Sequence, residues 1–265
     1  MKTHIYLLIL LLLLFACGEV EFSPNQKFDS NTPTDLNKKN IEKLYSQEKD
    51  DTIRFVLTGD TQRAYSACED MVSVINSIKG VDFALLNGDI SDFGLYQEME
   101  WINDIYSDLN MPYIAVLGNH DISANGKSVF RRMYGNENFS FIYDGVKFVC
   151  FDSNSREYNY DGTIPNISWL KAEMAAEAGV NNYIAVSHVP SFSDDFDSEL
   201  EKPYASILTE NSKCLGSLHA HINQTEVLYP YNKTTPFIVA NTAAKREFYL
   251  IEIVNGKLLH KVIKF

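Results

Sequence analysis

Ile53-Arg54-Phe55-Val56-Leu57-Thr58-Gly59-Asp60-Thr61-Gln62 is a short apolar, β-branched run that stops on a Gly-Asp turn and then delivers polar side chains. Such a run reads as a buried strand, because it is short and bounded by a turn signal. The pattern recurs. Phe83-Ala84-Leu85-Leu86-Asn87 ends at Gly88-Asp89, Tyr113-Ile114-Ala115-Val116-Leu117 at Gly118-Asn119-His120-Asp121, and Tyr183-Ile184-Ala185-Val186-Ser187 at His188. Cys214-Leu215-Gly216-Ser217-Leu218 is weaker and ends at His219-Ala220-His221. Each of these strands presents Asp, Asn or His at its C-terminal end.

Between them, apolar residues recur at helical spacing. Met71, Val74, Ile75 and Ile78 make one stripe, with Ser66 and Glu69 placed as a capping box and Gly80 as the stop. Leu95, Met99, Ile102, Tyr106 and Leu109 make a second, ahead of Pro112; Ile167, Leu170, Met174 and Ala178 make a third, closed by Gly179. These stripes read as the core-facing sides of helices on a sheet. Strand-helix-strand units imply parallel pairing with right-handed crossovers, and parallel strands open their C-terminal ends onto one ligand crevice. The polar clusters are therefore expected to converge despite their separation in sequence. After Pro236, Phe237 to Val239, Glu247 to Val254 and Leu258 to Phe265 read as strands, with Asn255-Gly256 as a hairpin turn, so the ending is antiparallel. The expectation is an α/β fold with one domain over residues 52–265.

Composition narrows the function. The 265 residues are 45% apolar, ample for a core, and a single domain of this size calls for no second copy, so a monomer is expected. Acidic residues outnumber basic ones by 35 to 23, a formal charge of −12 that repels nucleic-acid backbones; no nucleic-acid groove is expected. Four scattered cysteines make neither a disulfide scaffold nor a cysteine-based zinc knuckle, which leaves histidines and carboxylates to carry the chemistry. Cys150, within Val149-Cys150-Phe151, reads as a buried thiol, and the sequence leaves open whether Cys68 and Cys214 pair.

The beginning of the chain reads as an address. Lys2 precedes eleven unbroken apolar residues, Ile5 to Phe15, a signal-peptide core over 1–16 and shorter than the about 20 residues a bilayer span needs. Leu14-Phe15-Ala16-Cys17 resembles the lipobox of bacterial lipoproteins, with Phe15 bulkier than the usual occupant. That resemblance implies an exported bacterial lipoprotein, anchored in a membrane through lipidated Cys17 at the periplasm or cell surface. Residues 17–51, polar and carrying Pro24 and Pro33, read as a flexible tether in which Ile41, Leu44 and Tyr45 could form one short helical turn.

Asp60, Gln62, Asp89, Asn119, His188, His219 and His221 are the hard-oxygen and imidazole donors that suit a pair of divalent ions with a bridging carboxylate. Such a pair polarises a phosphate ester and supplies hydroxide at neutral pH, and its charge draws an anion into an acidic protein. Together Gly59-Asp60-Thr61-Gln62, Gly88-Asp89-Ile90-Ser91-Asp92, Gly118-Asn119-His120-Asp121, Ser187-His188 and His219-Ala220-His221 resemble the calcineurin-like metallophosphoesterases. Asp152-Ser153-Asn154, Ser168-Trp169-Leu170 and the β-rich end extend the likeness across residues 52–265.

The resemblance implies a four-layer α-β-β-α fold: a β-sandwich of two mixed sheets flanked by helices, with a dinuclear site at the strand C-termini. It implies that Asp60, Gln62, Asp89 and His221 hold one ion, while bridging Asp89 with Asn119, His188 and His219 holds the other. His120 would protonate the leaving oxygen or stabilise the phosphoryl group, with Asp92 hydrogen-bonded behind it. The implied reaction is hydrolysis of a small-molecule phosphomonoester or phosphodiester by a metal-bridging hydroxide. Gln62 stands where the family usually has His, a neutral oxygen that favours manganese or iron over zinc. Leu218 stands where a Gly usually precedes His219. Asp92 lies where the purple acid phosphatase branch has a metal-binding Tyr nearby, so no tyrosinate-iron colour is expected.

Gln62 also motivates a competing expectation, a surface binding lipoprotein that keeps the fold without efficient catalysis. Asp121 reads as a helix cap, and Arg131 and Arg132 as a solvated helix face. Arg63 and Arg156, close to motif loops, are candidate contacts to substrate phosphate. Asn154 to Ile164, with Tyr158, Tyr160 and Asp161, is a candidate specificity loop.

Overall fold

In the computed structural model, which describes Phe28 and residues 32–265, each run read above as a strand forms one. The leader, the lipobox-like motif and Cys17 lie outside the described residues. In chain order the elements are α1 (Leu36–Tyr45), β1 (Thr52–Thr58), α2 (Tyr65–Ser77), β2 (Phe83–Asn87), α3 (Tyr96–Ser107), β3 (Tyr113–Val116), α4 (Gly126–Met133), β4 (Phe139–Tyr143) and β5 (Val146–Cys150). There follow α5 (Ile167–Glu173), β6 (Asn182–Val186), α6 (Ser198–Thr209), β7 (Cys214–His219), β8 (Glu226–Leu228), β9 (Phe237–Val239), β10 (Glu247–Val254) and β11 (Lys257–Lys264).

The strands form two mixed sheets, ordered β11-β10-β1-β2-β3 and β4-β5-β6-β7-β9-β8. Within the first, β1, β2 and β3 run parallel; within the second, β5, β6, β7 and β9 do. The parallel strands bring their polar ends to one rim. β10 and β11 pair antiparallel across Asn255 and Gly256, both at positive φ as a tight hairpin turn requires.

The period of 2 along each strand sets the layers. Ile53, Phe55 and Leu57 of β1 face between the sheets, together with Phe83, Leu85, Phe141, Phe148, Ile184, Val186 and Leu218. Val56, between them, faces outward onto α2 and α3 through Met71, Ile75, Met99, Ile102 and Tyr106. On the other flank, Val149, Tyr183 and Ala185 pack against Leu170 of α5 and Tyr204 and Leu208 of α6. At the centre, Phe55 stacks on Phe83 (centroids 5.0 Å) and Phe141 on Phe148 (4.9 Å), and Phe148 meets both Phe55 and Phe83 edge-on.

Several expectations need correction. Residues 36–45 are a helix docked on the body, not part of a tether. The buried face of α1 is Asn37, Asn40 and Leu44, too polar for a hydrophobic stripe to reveal. Asn37 Nδ2 donates to Ala115 O (2.9 Å) while Ala115 N–H donates to Asn37 Oδ1 (2.8 Å), and Asn40 Nδ2 donates to Tyr113 O (2.7 Å). Side-chain amides thus occupy the free edge of β3. Helix α2 starts at Tyr65 with Ala64 at its N-cap and no side-chain cap, so Ser66 and Glu69 do not form a capping box. The third stripe gives a helix of only 7 residues, α5. Cys68, Cys150 and Cys214 are all buried free thiols. No helix among the described residues is long and apolar enough to cross a membrane.

Candidate metal centre

The loops after β1 and β2 clasp each other before any side chain enters. Asp60 N–H donates to Gly88 O, and the N–H groups of Thr61 and Gln62 both donate to Asp89 O. Asp60, Asp89 and His221 all hold positive φ, at 49°, 52° and 75°. Non-glycine residues there cost on the order of 1–3 kcal/mol each, and such strain collects at functional sites. Gly118 has no alternative: a Cβ would lie 2.0 Å from Asp89 N and 2.3 Å from Asp89 Oδ1.

Asn87, fully buried at the end of β2, stitches the sheets together. Its Nδ2 donates to Ser187 O (3.0 Å) and Leu218 O (3.3 Å), while its carbonyl accepts from His188 Nδ1–H (2.8 Å). That bond turns His188 Nε2 into the rim, 3.3 Å from Asp89 Oδ1 and 3.2 Å from Asn119 Oδ1. His221 Nε2–H donates to Asp195 Oδ2 (2.8 Å), so its Nδ1 faces the same Asn119 Oδ1 at 2.9 Å. The donor atoms of Asp89, His188 and His221 all lie within 4.8 Å of one another.

Asp89 Oδ1, Asn119 Oδ1, His188 Nε2 and His221 Nδ1 are therefore acceptors aimed at each other. Their lone pairs repel unless a proton or a cation sits among them. Burial opposes a charged His188, yet Asp89 and then Asp60 raise it to about 10, so a proton fills the gap when no cation does. Burial and the His188 charge push His221 down to about 4, which leaves its Nδ1 lone pair free. Burial likewise opposes the Asp89 charge, but His188 and His120 hold it at about 2. Burial lifts Asp60 to about 7. Asp60 Oδ2 accepts from His221 N–H (3.0 Å), and Gln62 Nε2 donates to Asp89 Oδ2 (3.3 Å) while Gln62 Oε1 is buried without a partner. An orphaned oxygen beside converging acceptors fits a divalent cation.

His219 stands apart from this group. Its ring is fully buried against Phe237, with Nδ1 3.2 Å from Ser187 Oγ and Nε2 2.8 Å from Ser217 Oγ. Expected as a ligand, His219 is not among the donor atoms that converge here: it shares the strand face of Ser217, opposite that of Leu218.

His120 borders the rim, 42% exposed at its side chain. Its Nδ1–H donates to the Asp92 carbonyl (3.0 Å), and the Asp92 carboxylate lies 3.5 Å away. Asp92 thus supports His120 through its backbone carbonyl, while Arg63 takes Asp92 Oδ2 through Nε (2.7 Å) and a terminal nitrogen. Arg156 is bound to Asp195 and Glu157. Both candidate phosphate contacts are thus paired with carboxylates, Arg63 with its side chain still 70% exposed. Asp121 is not a helix cap. Fully buried, it accepts from the N–H groups of Ile90, Ser91 and Gly118 and from Ser91 Oγ, tying the loops after β2 and β3 together. In the candidate specificity loop, Tyr158 OH donates to Asp152 Oδ2 and Tyr160 OH to Asp194 O. Asp195 and Asn87 were not among the expected site residues; Asp195 sits in an aperiodic loop with no motif to mark it.

The profile of the calcineurin-like phosphoesterase family matches residues 53–223, and the chain belongs to that family. Among curated proteins, none matches it by sequence. Its fold is similar to a dimetal phosphatase from Danio rerio (TM-score 0.62, 11% identity, 82% of this chain and 100% of that one). It is also similar to GAP50, the anchor in the inner membrane complex of Plasmodium (0.62, 17%, 81% and 85%), and to a purple acid phosphatase from yellow lupin seeds (0.59, 13%, 82% and 52%).

Proposed function

We propose that this chain is a metal-dependent phosphoesterase acting on a small phosphomonoester or phosphodiester. The observation that carries this reading is the convergence of ligand atoms from Asp89, His188 and His221, with Asn119 Oδ1 facing both imidazoles, beside the exposed ring of His120. A divalent cation held there would polarise the ester and neutralise its charge. Asn87 and Asp195 fix the two imidazoles in the orientation that frees one nitrogen of each for the cation. With Nδ1 tied to Asp92 O, His120 as an imidazolium directs its Nε2–H outward, where it can protonate a departing alcohol. Family membership, the similar fold of named phosphatases and this geometry support the reading.

We further propose that the chain is an exported lipoprotein held to a membrane through Cys17, with 1–16 removed. The length of the apolar leader and the lipobox-like Leu14-Phe15-Ala16-Cys17 support this.

The function is tested by turnover of an aryl phosphate and an aryl phosphodiester with added manganese. Asp89→Ala should abolish activity, and His120→Ala should lower kcat by about 10²–10⁴-fold. Equal rates for wild type and Asp89→Ala would refute the reading.

A further inference from the structure

His219 and His221 are two residues apart, and the family pattern would give each to a different ion. The structure separates them differently. Turning the His219 ring toward Asn119 would break its contacts with Ser187 and Ser217 and unstack it from Phe237. It would also leave the Ser217–Tyr204 hydroxyl pair, 2.8 Å apart, short of a partner in the core. His221 meanwhile lies within 2.9 Å of the Asn119 oxygen that His188 also faces. The imidazole missing from the Asn119–His188 position is thus supplied by His221.

The adjoining position keeps only Asp60, Gln62 and the second oxygen of Asp89. Those are oxygens alone, and two of the groups are already engaged: Asp60 Oδ2 with His221 N–H, and Gln62 Nε2 with Asp89 Oδ2. Imidazole suits zinc and iron, whereas all-oxygen sets suit magnesium and manganese.

We infer that the centre is asymmetric. Asp89, Asn119, His188 and His221 hold one ion tightly, Asp60, Gln62 and Asp89 take a second, hard ion weakly, and His219 ligates neither. The inference rests on the metal dependence proposed above, but its test needs no turnover.

Wild-type protein stripped with a chelator and titrated with zinc should retain about one ion per chain through a desalting column, as a single imidazole-bearing position implies. Manganese added to the zinc-loaded protein should bind at least about 100-fold more weakly and give an uncoupled paramagnetic resonance spectrum. His219→Gln should keep its zinc within about threefold of wild-type affinity, while His221→Gln should lose about 100-fold or more. Two zinc ions retained per chain would overturn the inference, as would loss of zinc from a His219→Gln protein with wild-type circular dichroism. Should His219→Gln fail to fold, the wild-type zinc count and resonance spectrum decide alone. A protein with one tight ion and no phosphoesterase turnover would refute the function and leave this inference standing.

Discussion

Two levels of the same inter-sheet space behave in opposite ways. At the middle, Phe55, Phe83, Phe141 and Phe148 fill the gap ring against ring. At the rim, Asp89, Asn119, His188 and His221 set acceptor against acceptor, and three nearby residues hold positive φ. The first level gains free energy from every contact; the second gathers groups that only a proton or a cation brings together favourably. Stability and chemistry are thus drawn from different depths of one sandwich.

The largest effect that would sharpen this contrast is Phe83→Ala, which should cost about 3–5 kcal/mol of stability in denaturant unfolding. Ion affinity of the folded remainder should be unchanged; a parallel loss would break the separation. Asp195→Asn should do the reverse, leaving the unfolding midpoint near wild type while weakening ion binding by about 10–100-fold, as removal of a carboxylate behind a ligating His does. Asp195→Glu should recover part of the loss, and a destabilised Asp195→Asn protein would show the residue to be structural instead. The smallest effect concerns the thiols. Burial pushes Cys68 and Cys214 up to about 12 and Cys150 higher still, so all three should resist a thiol reagent in the native protein and react once it is unfolded.

The strand ends were legible because their signal is local: a β-branched run, a glycine, then a carboxylate or an imidazole. Any one of these ends is a weak signal; Asp89, His188 and His221, which the structure brings together, stood out because several such ends recur along the chain. His219 could not be read the same way. Which face of β7 it takes depends on Phe237 and Tyr204, contributed by other segments. Asp121 looked like a cap because it follows a strand and precedes a turn, yet its carboxylate serves two neighbouring loops. Helix α1 hides its contact surface in asparagines, and α6 carries Pro203 in its interior, so neither shows a clean apolar stripe. Asp195 becomes visible only when the loop bearing it closes over His221.

The asparagines of α1 have one more consequence. β3 is the last strand of its sheet, and Asn37 and Asn40 answer its outward backbone groups as a neighbouring strand would. At the opposite margin, β11 is guarded by Lys257, Lys261 and Lys264. A chain begun at Thr52 would keep the lysine-guarded border and expose the other, with Tyr113 to Val116 open to recruit a strand from a second molecule. Helix α1 thus does for β3 what the lysines do for β11, covering a sheet edge that would otherwise be free to pair.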